Sequence, residues 1–124
     1  MEIVSVKLVM FKQKTYHEEG EYCGECPALG AFHVMDSFER LIAYMQDCLK
    51  NDLAGRLHYK KLKLRGWEVS ENSAKPPIFA DDELIKIAER NFNVKIKEPI
   101  IVELHAELPP PRDPYAHLFP NENT

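Results

Sequence analysis

The sequence lacks the features that would place the chain in a membrane or in an oxidising compartment. Its three cysteines, Cys23, Cys26 and Cys48, are an odd number, and the N-terminus begins directly as strand-like sequence without a signal peptide. No apolar run approaches the roughly 20 residues that a membrane-spanning helix needs. We therefore expect a cytoplasmic protein that does not interact with a membrane.

A positive charge excess is also missing. The net charge of −4 at neutral pH gives no overall attraction to nucleic acid, so any nucleic-acid surface must be a local patch. The five glycines are isolated from one another and predict no glycine-rich phosphate loop. The 124 residues, 44% hydrophobic and 29% charged, are typical of a soluble globular domain with one modest core.

Three segments in the first third of the chain have strand character. Alternate residues over positions 4–10 are apolar, which predicts a strand with one face in the core. A second strand covers residues 22–26, and Pro27 ends it because proline has no amide hydrogen to donate. A third strand covers residues 32–34. Three strands with short connections predict an antiparallel meander.

A capped amphipathic helix should follow the third strand. Asp36 can accept a hydrogen bond from the first helical turn, and Glu39 three residues later completes an approximate capping box. Asn51, Asp52 and Gly55 should end the helix. Its apolar residues are spaced by three or four positions, so that one face packs on the sheet. They are Phe38, Leu41, Ile42, Met45, Cys48 and Leu49.

The region over residues 57–69 gives a weaker pattern. Leu62 and Leu64 alternate with basic residues, which favours a strand. A bulge at Gly66 would then be needed to turn Trp67 towards the core.

The rest of the chain predicts a loop, a helix and a strand. The loop covers residues 70–77, and Asp81 or Asp82 can cap the N-terminus of the helix. Residues 100–108 alternate so regularly between core-facing and outward-facing positions that they are the clearest strand in the chain.

The predicted fold class is therefore α+β. It combines a three-stranded antiparallel meander and a packed helix with a following strand, a helix and a long C-terminal strand. We expect a single domain over residues 1–108, with a core at 1–69 and an added helix–strand unit at 78–108. The proline-rich residues 109–124 should form an extended tail.

The order of motifs around the third strand resembles one small family. Tyr22, then Cys26-Pro27-x-Leu29-Gly30, then Asp36-Ser37 at the start of a helix is similar to the HicB-type antitoxin domain. That domain is a partial, non-catalytic version of the ribonuclease H fold, and the resemblance covers mainly residues 1–54. It implies a toxin–antitoxin system in which a small toxin-like protein is the partner. Family antitoxins carry a DNA-binding helical motif after this core, whereas residues 78–108 predict a helix and then a strand.

Catalytic chemistry has little support in the sequence. Two-metal cleavage of phosphodiesters needs several carboxylates that converge on cations about 4 Å apart, and the first strand has only Glu2, at its start. Cys23 and Cys26 would point to opposite faces of a strand, and structural zinc sites usually take two cysteine or histidine pairs. We predict no enzyme activity, no catalytic residues, no metal and no cofactor. A degenerate or metal-dependent nuclease-like enzyme is the second alternative.

Basic residues between positions 56 and 65 form the local footprint for nucleic acid. They are interleaved with His58 and Tyr59 and followed by Trp67, a combination that suits a nucleic-acid surface. The simpler interpretation is a solvated strand face whose lysines discourage aggregation. A nucleic-acid-binding regulator is therefore the first alternative function. Its contact residues would be Arg56, Lys60, Lys61, Lys63 and Arg65.

The last predicted strand favours self-association. It is long and exposes an unpaired edge, and proline stands only at its ends, as Pro99 and Pro109. A second copy could pair with this edge across a two-fold axis. The leading interpretation is a non-enzymatic HicB-like protein that binds a protein partner or forms a homo-oligomer. The interface residues would be Ile101, Glu103, His105 and Glu107.

Overall fold

The computed structural model describes residues 2–13 and 21–112, and a four-stranded antiparallel sheet forms its centre. In chain order its elements are β1 (Ile3–Gln13), β2 (Glu21–Cys26), β3 (Ala31–Met35), α1 (Phe38–Ala54), α2 (Lys61–Leu64), β4 (Glu68–Val69), β5 (Ala74–Lys75), α3 (Asp81–Phe92) and β6 (Ile100–Glu107). The sheet order is β3-β2-β1-β6, and every neighbouring pair is antiparallel. The predicted α+β fold, a meander followed by a packed helix, is confirmed.

The alternation in β1 divides the core between the two faces of the sheet. Its even-numbered residues from Val4 to Met10 pack against α1 in the larger cluster. Val9 and Phe11 point the other way and pack against α3 in the smaller cluster. All residues from Leu8 to Phe11 are buried because this part of the strand lies between helices on both faces.

The helix α1 begins one residue later than the sequence pattern predicts. Ser37, rather than Asp36, is the N-cap, and its hydroxyl accepts a hydrogen bond from the amide of Arg40 at 3.2 Å. Asp36 instead pairs with the Arg40 guanidinium at 2.9 Å. Gly55 caps the C-terminus as predicted, but Asn51 and Asp52, which were also expected to end the helix, lie within its last turn. The fully buried residues on the sheet side are Leu41, Met45, Leu49 and Leu53.

The helix α3 crosses the opposite face of the sheet. Ala80 is its N-cap, so the prediction that Asp81 or Asp82 caps the helix is wrong. Both acids lie in the first helical turn, where they suit the positive end of the helix dipole, and Asp81 pairs with Lys7 of β1 at 2.8 Å. Leu84 and Ala88 are buried against the sheet. Asn93 ends the helix in a left-handed conformation with a φ of 53°.

The predicted strand within residues 57–69 is largely wrong. The helical turn α2 occupies its centre, and only the two-residue strand β4 follows. On a strand Leu62 and Leu64 would share one face. The turn instead sends them to different sides, so that Leu62 is 1% exposed and Leu64 is 82% exposed.

The segment after α2 returns to the core through Trp67. Gly66, with a φ of 93°, reverses the chain in a conformation that favours glycine. Trp67 is buried and its indole N–H donates to the carbonyl of Ala28 at 2.6 Å. The predicted loop over residues 70–77 contains β5, which pairs with β4. Within the described part of the chain, no helix has the length and apolar character needed to cross a bilayer.

Candidate functional site

A buried carboxylate lies at the base of a polar cleft beside β3 and α3. The register of the sheet places Glu25 of β2 between Val9 and Phe32, on the face that α3 covers. Glu25 is 2% exposed, and the side-chain amide of Asn91 donates to its Oε1. Burial raises the pKa of Glu25, while the Asn91 hydrogen bond and the charges of Arg65 and Arg90 lower it in part.

The cleft above Glu25 has a volume of about 540 Å³ and two arginines in its wall. Arg65 follows α2, and Arg90 lies in the last turn of α3. Gly30 has a φ of 60°, and a Cβ atom at that position would overlap the Arg65 guanidinium. Phe32 completes the wall with a side chain that is 57% exposed. The cleft therefore combines two cations, one buried acid and one exposed aromatic ring.

The predicted basic cluster does not form one surface. Lys61 pairs with Asp52 at 2.9 Å, and Arg65 turns to the cleft. Lys60 and Lys63 are exposed. Because α2 is helical, the predicted alignment of Lys61, Lys63 and Arg65 on one strand face is wrong.

Arg56 is a structural residue, and its assignment to a nucleic-acid surface is wrong. It is 1% exposed, and burial lowers the pKa of its guanidinium. The guanidinium donates to four backbone carbonyls, which join the end of α1 to two later segments. They belong to Leu53, Ser70, Glu71 and Pro109, at distances of 2.5 to 2.8 Å.

The cysteine pair of β2 is divided between the two cores. Cys23 packs in the cluster under α3 and Cys26 in the cluster under α1, so that the prediction of opposite faces is confirmed. Burial raises the pKa of Cys23 to about 11 and that of Cys26 to about 12, which keeps both thiols protonated. Among residues 2–13 and 21–112, no three His, Cys, Asp or Glu side chains come close enough together to hold a metal ion.

Three polar side chains from the neighbouring strands β1 and β6 meet on the uncovered half of the α3 face. Ser5 lies directly opposite His105 in the β1–β6 register, and its Oγ is 2.6 Å from His105 Nδ1. Glu103 Oε2 is 3.7 Å from His105 Nε2. This resembles a nucleophile–base–acid order. However, the carboxylate lies beyond hydrogen-bonding distance, and all three residues are exposed. The arrangement therefore has the character of a solvated cross-strand pair.

The edge of β6 is open in the part of the chain that the structure describes. The Leu108 amide donates to the Glu2 carbonyl on the β1 side at 2.9 Å. Backbone groups alternate sides along an antiparallel strand. The N–H and C=O groups of even-numbered residues of β6 therefore point towards β1, and those of odd-numbered residues point away from the sheet. The side-chain amide of Gln46 covers the outward carbonyl of His105.

The predicted interface residues on β6 fall into two groups. Ile101, predicted to lie exposed on an outer face, is partly buried against the cluster under α3. Glu103, His105 and Glu107 are exposed beside the open edge. The last three therefore lie where a second strand could reach them.

Sequence reasoning missed the cleft because its members come from four separate segments. One signal was available. Glu25 and Cys23 are two residues apart on a short strand, so their side chains lie on the same face. If the strand is buried on both faces, this acid is buried as well. Asn91 and Arg90 gave no signal, because they stand on the polar side of a helix pattern. Their approach to Glu25 depends on where α3 crosses the sheet.

Comparisons with known proteins add no assignment. No protein-family model matches this sequence, and no curated protein or solved structure matches it.

Proposed function

We propose that this chain is a non-enzymatic, cytoplasmic interaction protein of HicB-like type, which binds a protein partner or a second copy of itself through β6. The observation that carries the proposal is the open edge of that strand. Its odd-numbered residues direct backbone N–H and C=O groups away from β1, and no other described strand pairs with them. Long unpaired edges are normally covered or used for pairing.

The charges along this edge favour one register for a two-fold pair. Centring two antiparallel copies of β6 on Leu104 places Glu103 of each copy opposite His105 of the other. The outward backbone groups of both residues then meet as a hydrogen-bonded pair. Centring on Glu103 would instead oppose two carboxylates, which is unfavourable. Pairing also requires Gln46 to release the His105 carbonyl, a movement of one side chain.

Sedimentation velocity at micromolar concentration tests this edge. The wild-type chain should sediment as a dimer or higher oligomer. Glu103→Pro removes an outward amide without removing a hydrogen bond to β1 and should produce a monomer. The matched variant Glu103→Thr keeps the amide and should associate more weakly while remaining oligomeric. A wild-type monomer, or a Glu103→Pro variant that folds and stays oligomeric, would contradict self-association.

A small, basic toxin-like protein is the partner that the family resemblance implies. If a neighbouring gene encodes such a protein, its product can be purified as the binding partner. Its affinity is then measured for the wild-type chain and for Glu103→Pro. If β6 binds the partner, the variant should lose most of its affinity. Unchanged affinity in a folded variant would assign the partner to another surface.

The absence of nuclease activity is the remaining part of the proposal. Asp36, which follows the last strand of the meander, pairs with Arg40 at the exposed start of α1. Among the described residues it belongs to no group of three His, Cys, Asp or Glu side chains that could hold a metal ion. RNA and an RNA–DNA hybrid should remain intact with magnesium or manganese. Cleavage that is lost in Asp36→Asn or Glu39→Gln would refute this part.

A further inference from the structure

We propose that the cleft above Glu25 binds a nucleotide unit, with its phosphate on Arg65 and Arg90 and its base against Phe32 and Glu25. The unit is either a free nucleotide or part of a single strand. This assignment is separate from pairing at β6, and neither depends on the other. Four features of the cleft support it in turn.

The two arginines have charge available for an anion. Within residues 2–13 and 21–112, neither guanidinium has a carboxylate within 4 Å, whereas Lys7, Arg40 and Lys61 each form such a pair. The close packing of Arg65 on Gly30 limits the positions that its guanidinium can take. A planar, partly fixed guanidinium suits the bidentate recognition of phosphate.

The buried acid has capacity for further hydrogen bonds. A carboxylate accepts up to about four hydrogen bonds, and among the described residues the hydrogen bond to Glu25 comes from Asn91. Buried polar groups normally have their partners, and Glu25 lines the cleft. A ligand with adjacent N–H donors would complete its hydrogen bonding.

Guanine is the base that fits an acceptor at this position. Its N1–H and N2–H groups lie side by side, so that one carboxylate can accept from both. Adenine has an acceptor, N1, beside its amino group. A carboxylate oxygen placed opposite N1 would bring two acceptors together, which is unfavourable. Base edges that match the donors and acceptors of a protein give selectivity of this kind.

The exposed ring of Phe32 provides a surface for stacking. Phe92 contacts Phe32 edge-on, with ring centroids 5.8 Å apart and an interplanar angle of 81°. This contact supports the ring while 57% of the residue stays exposed. An aromatic ring beside arginines is a common platform for an unpaired base. The cleft volume of about 540 Å³ lies within the range for small-molecule sites.

Titration of the 124-residue chain with 5′-GMP, followed by calorimetry or amide chemical shifts, tests the site. 5′-GMP should bind saturably and at least tenfold more tightly than either 5′-AMP or inorganic phosphate. Arg65→Gln and Arg90→Gln should each weaken 5′-GMP binding at least tenfold. Glu25→Gln, which keeps an acceptor for Asn91, should reduce the preference for 5′-GMP over 5′-AMP to less than threefold.

A matched control is Lys63→Gln. Lys63 is an exposed cation in α2, two residues before Arg65, and does not line the cleft. The affinity of this variant for 5′-GMP should stay within twofold of the wild type. A guanine-rich single-stranded RNA of eight nucleotides identifies the source of the unit. Binding more than tenfold tighter than 5′-GMP indicates a strand, and equal binding indicates a free nucleotide.

Three results would overturn the assignment. One is no saturable binding of 5′-GMP or of the RNA at millimolar concentration. Another is binding that folded Arg65→Gln and Arg90→Gln variants retain. The third is an equal loss in Lys63→Gln, which would indicate general charge attraction rather than this cleft. Circular dichroism establishes that each variant is folded.

Discussion

The two faces of the sheet contain the same strands but differ in how completely they are covered. On one face the 17-residue helix α1 closes an apolar core that reaches from β3 to β6. On the other face the 12-residue helix α3 covers a smaller cluster around Val9, Phe11 and Cys23. Beyond α3, this second face is polar and exposed, as at Ser5 and His105.

The α1 face and the α3 face differ in how much each contributes to stability. Apolar burial stabilises by roughly 25 cal/mol per Å², so the fully covered α1 face should supply most of the folding free energy. The α3 face instead contains the features that stabilise least, namely the buried acid Glu25 and the exposed polar residues on β1 and β6. It also adjoins the arginine cleft. The candidate sites therefore lie on the face that contributes less to folding.

The largest expected effect separates the two cores directly. Leu49→Ala on the α1 face should lower the free energy of unfolding by about 4 kcal/mol, and Leu84→Ala on the α3 face by about 2 kcal/mol. Both residues are fully buried, but the smaller cluster can relax into the space that Leu84 leaves. Urea denaturation at pH 7 measures both values. An equal or larger cost for Leu84→Ala would refute the proposed division.

A second effect compares two arginines that the sequence pattern grouped together. Arg56→Met should lower the free energy of unfolding by about 3 kcal/mol, because the buried carbonyl of Leu53 and three partly buried carbonyls lose their donor. Arg65→Met should change it by less than about 0.5 kcal/mol, since Arg65 is exposed. The same denaturation experiment compares them. Similar costs would mean that Arg65 is structural as well.

These arginines show where sequence patterns stop being informative. The alternation in β1 and the spacing in α1 predicted the meander and its helix, because each pattern reports the periodicity of one element. Arg56 carried no such signal, since its partners Ser70 and Pro109 come from distant segments. The basic alternation after it suggested a strand, but Leu64 is exposed and α2 is helical. Tertiary contacts decided that segment against its local pattern.

The cleft was beyond prediction for the same physical reason. Glu25, Arg65 and Arg90 belong to three elements whose approach depends on how α2 and α3 pack on the sheet. The open edge of β6 was easier to anticipate, because one long alternating segment defined it. The position of β6 in the sheet was harder to anticipate. Because β6 pairs with β1, Ile101 is partly buried instead of exposed at an interface.

A third effect depends on pH and tests the acid on the α3 face. The pKa of Glu25 is raised above the ordinary 4.5, first by burial, so the native state binds this proton more tightly than the unfolded state does. The stabilisation from Glu25 is therefore complete below pH 4.5 and is lost as pH rises through the native pKa.

Glu25→Gln removes this dependence. The free energy of unfolding of Glu25→Gln minus that of the wild type should therefore increase as pH rises from 4.5 through the native pKa of Glu25 and then level off. Urea denaturation of both proteins across that range measures the difference. A difference that decreases with pH would mean that the native state favours the carboxylate. Glu39→Gln removes an exposed acid on α1 and is the control for the loss of one carboxylate at the surface.

The smallest effect concerns Ser5 and His105 on the exposed half of the α3 face. Although their side chains are 2.6 Å apart, an exposed cross-strand pair contributes only about 0.2–1 kcal/mol. A double-mutant cycle with Ser5→Ala and His105→Ala should therefore give a coupling free energy of about 0.5 kcal/mol. None of these variants should alter hydrolysis of a chromogenic ester, because Glu103 is too far from the imidazole to orient it. A coupling free energy above about 1.5 kcal/mol would show that Ser5 and His105 form more than a solvated pair. Ester hydrolysis that Ser5→Ala abolishes would show that this half of the α3 face has catalytic activity. Either result would change the proposed contrast between the α1 face and the α3 face.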